Sequence, residues 1–182
     1  AVAEGRSQIP LEHFWRFQKG DVSGAEQVSF DDSTWRIVSV PHDWTIEDLT
    51  RENGPFDSAA IGGCDVGYTI GGTAWYRTGF TLDANDAGKI VHLQFGGVYM
   101  NSDVWVNGIH VGGRPYGYST FWFDITPYVS FGAQNIVAVE VKNEGKNSRW
   151  YSGSGIFRPV TLTVTDPIHI CLLYTSDAAD EE

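Results

Sequence analysis

Apolar and polar residues alternate along most of this chain with a period of two. In "KIVHLQFGG" Val91, Leu93 and Phe95 fall on one face, with Ile90, His92 and Gln94 on the other. In "NIVAVEVK" Val137, Val139 and Val141 share a face opposite Ala138 and Glu140. In "RPVTLTVT" Val160, Leu162 and Val164 alternate with Thr161, Thr163 and Thr165, the pattern of a strand with one side buried and one wet. "TAWYRTGFTL", "STFWFDI" and "WRIVSV" are predicted as further strands.

Turn signals separate these runs. "VWVNGIHVG" predicts a hairpin, because Asn107-Gly108 supplies the two positive-φ residues of a type I′ turn. Gly96-Gly97, Gly112-Gly113 and "FGAQN" mark other turns. No long helical period occurs, and only short helical turns are expected, near "DANDAG" and "DITPYV". Many short strands joined by turns predict an all-β sandwich or barrel. Two regions depart from this pattern. Thr50 to Gly72 is long, Gly-rich and weakly periodic, and loops of that kind inside a compact domain are usually functional or disordered. The end, "CLLYTSDAADEE", is a short apolar run followed by an acidic tail, expected to be frayed or foreign to the fold.

Composition narrows the partners. With 182 residues the chain is long enough for one domain with a substantial core. Aromatic residues make up 14%, an excess that hints at a binding face as well as a core. The net charge of −11 disfavours nucleic acid, which needs clustered Lys and Arg, and no polybasic run suits an anionic membrane. A neutral sugar meets no such objection. Cys64 and Cys171 form no CxxC pair, so no metal site is indicated, no cofactor is called for, and free thiols are expected. The opening "AVA" has the small-x-small form of a signal-peptide cleavage region and suggests a periplasmic or secreted protein.

Two stretches hold candidate chemistry. Sugars present hydroxyls at their edges and C–H groups on their faces, so a site for them combines hydrogen-bonding groups with an aromatic plate. "SRWYSGSG" offers Arg149 as a rigid fork of donors, Trp150 and Tyr151 as rings with polar edges, and small residues that admit close backbone approach. The same residues could serve structure alone, with Arg149 paired to a carboxylate and Trp150 closing the end of the sandwich. In "VPHDWTIED", Asp43 could accept from two sugar hydroxyls or cap a turn, and His42 beside it is weak grounds for acid–base chemistry. No nucleophile triad or G-x-S-x-G elbow occurs, and no carboxylate pair is marked as the two acids of a glycosidase.

"FWRFQKGD", "FDDSTWRIVSVPHDWTIE", "GTAWYRTGFTL", "GGVYMNSDVWVNGIHVGGRPYGYSTFWFDITPYV" and "NSRWYSGSGIFRPVTLTV" together resemble the N-terminal sugar-binding domain of glycoside hydrolase family 2, in its bacterial β-galactosidase-like branch. The resemblance implies a jelly-roll β-sandwich of the galactose-binding-like type over residues 13–170, with 1–12 as an N-terminal extension and 171–182 as a non-family tail. It implies a non-catalytic piece of a retaining glycosidase, inactive alone, whose partners are a β-galactoside and the remaining domains of the parent. An immunoglobulin-like domain and a barrel carrying both catalytic glutamates would follow. Arg149 matches a rim position that several relatives fill with aspartate, Asp43 is carried over with it, Trp150 and Tyr151 flank them, and the loop from Gly54 to Gly72 stands where a rim loop is expected. Alternatives are a free-standing carbohydrate-binding module, an interaction domain with no sugar role, and a β-glucuronidase- or β-mannosidase-type relative.

Overall fold

The computed structural model describes residues 5–47, 56–148, 150 and 152–169. Ten strands follow in order: β1 (Arg6–Pro10), β2 (Trp15–Lys19), β3 (Arg36–Val38), β4 (Gly72–Thr81), β5 (Ile90–Phe95), β6 (Ser102–Val106), β7 (Ile109–Arg114), β8 (Phe121–Asp124), β9 (Gln134–Asn143) and β10 (Val160–Thr165). They form a four-stranded sheet, β1-β10-β5-β8, and a six-stranded sheet, β3-β2-β4-β9-β6-β7, with every strand pair antiparallel. The all-β sandwich expected from the alternation is therefore the observed architecture. The 3-10 turns Ala84–Asp86 and Thr126–Tyr128 fall where short helical turns are expected.

The core lies between the sheets. Register sets it: Val160, Leu162 and Val164 of β10 pair with Phe95, Leu93 and Val91 of β5, so both strands turn their apolar set the same way. Val137, Val139 and Val141 of β9, with Ala74 and Tyr76 of β4, line the facing sheet. A slip of one residue would place threonines in this layer, so burial specifies the pairing. The hairpin forms as expected, with Asn107 at φ 50° and Gly108 at φ 80° between β6 and β7. The Asn107 side chain donates to the Tyr128 carbonyl and accepts from Ile136 N–H, which ties the turn to β9.

Three features differ from the sequence expectations. The threonine face of β10 is not wet: Thr163 and Thr165 are buried, and their hydroxyls have no hydrogen-bond partner among the described residues. Longer neighbours on the flanking strands stand beside them in register, His92 opposite Thr163 and Arg6 opposite Thr165. β1 lies inside the residues expected to form an extension, so the sandwich begins at Arg6; its edge position and mixed burial leave no clean alternation to find it by. The outer face of the larger sheet is covered too. Val22, Ala25, Phe30 and Trp35, from the segment between β2 and β3, pack on Trp75, Trp105 and Ala138. Arg77 reaches into this layer at 2% exposure, pairs with Asp32 at 2.8 Å and donates to the carbonyls of Ala25 and Gln27. The tail from residue 171, Cys171 included, lies outside the described residues; Cys64 is an exposed free thiol.

Candidate saccharide site

The two stretches singled out above meet at one end of the sandwich. His42 N–H donates to the Ile156 carbonyl at 2.7 Å and Trp44 N–H to the Ser154 carbonyl at 3.0 Å, so "PHDW" runs alongside "SGSGI". Asp43 joins them. Its Oδ1 accepts from Thr45 N–H (2.9 Å) and Thr45 Oγ1–H (2.6 Å), capping the 3-10 turn Trp44–Ile46, and from Ser154 N–H (2.8 Å) across the gap. Three donors on one oxygen fix the carboxylate, and Oδ2 has no donor among the described residues. The glycines of "SGSG" are explained by this contact. A Cβ on Gly153 would overlap Asp43 Oδ2, and one on Gly155 would stand 2.6 Å from the His42 carbonyl oxygen at a φ of 129°. Asn143, at the end of β9, donates to Ser154 Oγ at 2.6 Å and holds the loop to the sheet.

Clefts open on both sides of Asp43 and Gly153. The larger, about 630 Å³, is lined by Asp43, Ile46, Phe56, Tyr68, Ser152 and Gly153 among others. Phe56 and Tyr68 belong to the Gly-rich loop, closed on itself by a bridge between Phe56 and Thr69, and both rings are exposed. Ser152 is 3% exposed, and its buried Oγ has no hydrogen-bond partner among the described residues. The smaller cleft, about 110 Å³, lies between Asp43, Gly153, Tyr99, Tyr118 and Phe157. A cavity of about 150 Å³ behind the Gly-rich loop is walled by Ala59, Ile61, Val66, Ile70 and glycines, with only Thr69 and Asn143 polar, and offers no reactive group.

His42 points the other way. Its Nδ1 lies 2.7 Å from Tyr76 Oη and its Nε2 3.0 Å from Glu47 Oε1, and its ring packs edge-on against Phe17 at 4.8 Å. Burial would raise the Glu47 carboxyl, but the hydrogen bonds and charges of Arg36 and His42 outweigh it and hold the group below its ordinary value. Burial pushes the Tyr76 hydroxyl well above its usual value, so it stays neutral. This network braces the turn that carries Asp43.

Of the four residues expected at the site, Asp43 lines both clefts and Trp150 is 74% exposed, its N–H bonded to Ser148 Oγ at 3.1 Å. Arg149 and Tyr151 lie outside the described residues. The sequence reading did not single out Tyr99, Tyr118 and Phe157, which line the smaller cleft, or Ser152, which lines the larger. Among the described residues lining the two clefts, Asp43 is the only carboxylate. Such an arrangement can bind and orient hydroxyls. Among the described residues, no group of three or more His, Cys, Asp or Glu side chains is placed to hold a metal ion.

A sandwich that gathers a fixed carboxylate and exposed rings around two clefts at one end has the form of a carbohydrate-binding domain. A family model described as "Glycosyl hydrolases family 2, sugar binding domain" matches residues 11–167, and the chain belongs to that family. It is 49% identical over 172 residues to the beta-galactosidase BoGH2A of Bacteroides ovatus, covering 93% of this chain and 19% of that protein. It is 41% identical over 165 residues to a putative beta-glucuronidase of Formosa agariphila, covering 90% of this chain and 15% of that protein. The solved structure of a glycosyl hydrolase family 2 member from Bacteroides cellulosilyticus superposes with a TM-score of 0.86 at 49% identity, over 89% of this chain and 21% of the other. The chain thus spans about a fifth or less of the length of these relatives.

Proposed function

We propose that this domain forms one wall of the saccharide site of a retaining β-galactosidase-like hydrolase. Its catalytic glutamates would lie on polypeptide outside this chain, and the enzyme would be exported from a bacterial cell. The observation that carries the reading is Asp43, which lines both clefts and whose Oδ1 is held by three donors while Oδ2 has no donor among the described residues. Oδ2 accepts from sugar hydroxyls, Arg149 adds a fork of donors to the same sugar, and Trp150 and Tyr151 offer ring faces to its C–H groups. The pure chain is expected not to hydrolyse nitrophenyl β-galactoside, and turnover by it would reject the reading. As one wall of a site it should bind galactose more weakly than about 1 mM, leaving calorimetry silent. In the longer enzyme, Asp43→Asn keeps an oxygen for the cap but replaces the acceptor. It should raise KM for galactosides and lower kcat/KM by roughly ten- to a hundredfold.

Relatives named as beta-glucuronidases at 41% and 35% identity favour a second reading, a uronic-acid substrate with Arg149 as the partner of its carboxylate. The acidic Asp43 beside the clefts supports the neutral sugar instead. Comparing kcat/KM for nitrophenyl β-galactoside and nitrophenyl β-glucuronide in the longer enzyme separates the two.

A further inference from the structure

We infer that the ledge formed by Tyr99, Tyr116, Tyr118 and Phe157 is a second saccharide subsite, which takes the sugar next to the one held at Asp43. The inference rests on the reading of Asp43 as a sugar contact. The two clefts share Asp43 and Gly153 in their linings, so the ledge lies next to the carboxylate that would grip the first sugar.

The ledge is rigid. Tyr118 meets Tyr99 edge-on at 5.2 Å, Tyr116 at 5.9 Å and Phe157 at 6.3 Å. Tyr99 exchanges two backbone hydrogen bonds with Gly155, both 2.9 Å, which bolt it to the loop that carries Ser152 and Gly153. A Cβ on Gly117 would run into the Tyr99 ring, so the segment between Tyr116 and Tyr118 lies flat on its neighbour. Tyr116 and Tyr118 are nevertheless open to solvent at 61% and 49% exposure, above a base in which Tyr99 is buried at 5% and Phe157 half-buried. Ordered rings with accessible faces and hydroxyl edges, beside a carboxylate oxygen with no donor among the described residues, suit a neutral pyranose. The Arg158 guanidinium over Phe157, 5.2 Å from its centroid, closes the far end of the ledge with a donor that reaches sugar hydroxyls.

Amide chemical-shift mapping of this chain, titrated with galactose and separately with lactose, tests the proposal, since it registers contacts too weak for calorimetry. Galactose should shift Asp43, Ser152 and Gly153. Lactose should shift these and also Tyr116, Tyr118 and Phe157, with an apparent affinity roughly three- to tenfold higher, and Tyr118→Ala should remove most of that preference. If lactose shifts Asp43 yet leaves the tyrosines at their galactose positions, the second subsite is overturned and the first reading stands. If neither sugar shifts Asp43 or Ser152, both fall, and the ledge is left as a surface for polypeptide.

Discussion

Asp43 uses its two oxygens differently: one holds the end of the sandwich together, and the other has no donor among the described residues. Replacing it with alanine removes a turn cap and a bond between two loops, and should cost about 1–2 kcal/mol in urea unfolding. Gly153→Ala should displace the carboxylate by overlap, destabilise by about 1–3 kcal/mol and abolish the sugar-induced shift at Asp43. In the covered outer layer, Asp32→Ala strands a guanidinium that is 2% exposed and should cost about 3–5 kcal/mol. Arg77→Met should cost less, because Asp32 retains access to water at 28% exposure. Glu47 gives a pH signature. Its folded-state value lies below the ordinary 4.5, so the unfolded chain takes up the proton first. The stability it contributes is complete above about pH 4.5 and is lost as pH falls through the lower folded value. Thermal unfolding across that window should show the loss, and Glu47→Gln should flatten it.

At the scale of elements, the sequence pattern revealed strands with one buried face and missed those at the margins. β5, β9 and β10 announced themselves because Val, Leu and Phe recur at every second position in the central layer. β1 and β2 lack that contrast: β1 is an edge strand, and β2 is five residues long with only Trp15 and Phe17 buried. The wet face assigned to β10 failed because alternation reports residue type, whereas burial depends on what stands alongside. Leu93→Ala, in the middle of the β5–β10 register, should destabilise by about 2–5 kcal/mol. Gly108→Val, at φ 80° in the β6–β7 turn, should cost about 1 kcal/mol or more while the circular dichroism spectrum stays that of a sheet.

At the scale of the molecule, the sandwich brings together stretches more than a hundred residues apart, as the Asp43–Ser154 bond shows. That meeting was not legible in the sequence. "PHDW" and "SRWYSGSG" could each be picked out by residue type, but their contact needs the chain path through β4, β9 and β10. The tyrosine ledge was invisible for the same reason, since Tyr99, Tyr118 and Phe157 come from three separate connections. Fold and family were legible because they depend on many residues in order; the site depends on a few atoms brought close by the rest. A crystal structure of the chain soaked with galactose tests the central claim most directly. The sugar should sit with a hydroxyl about 2.6–3.2 Å from Asp43 Oδ2 and with the Arg149 guanidinium on the same ring. A sugar bound away from this end, or an Arg149 turned inward onto a buried acid with Asp43 Oδ2 taken by an internal donor, would contradict it.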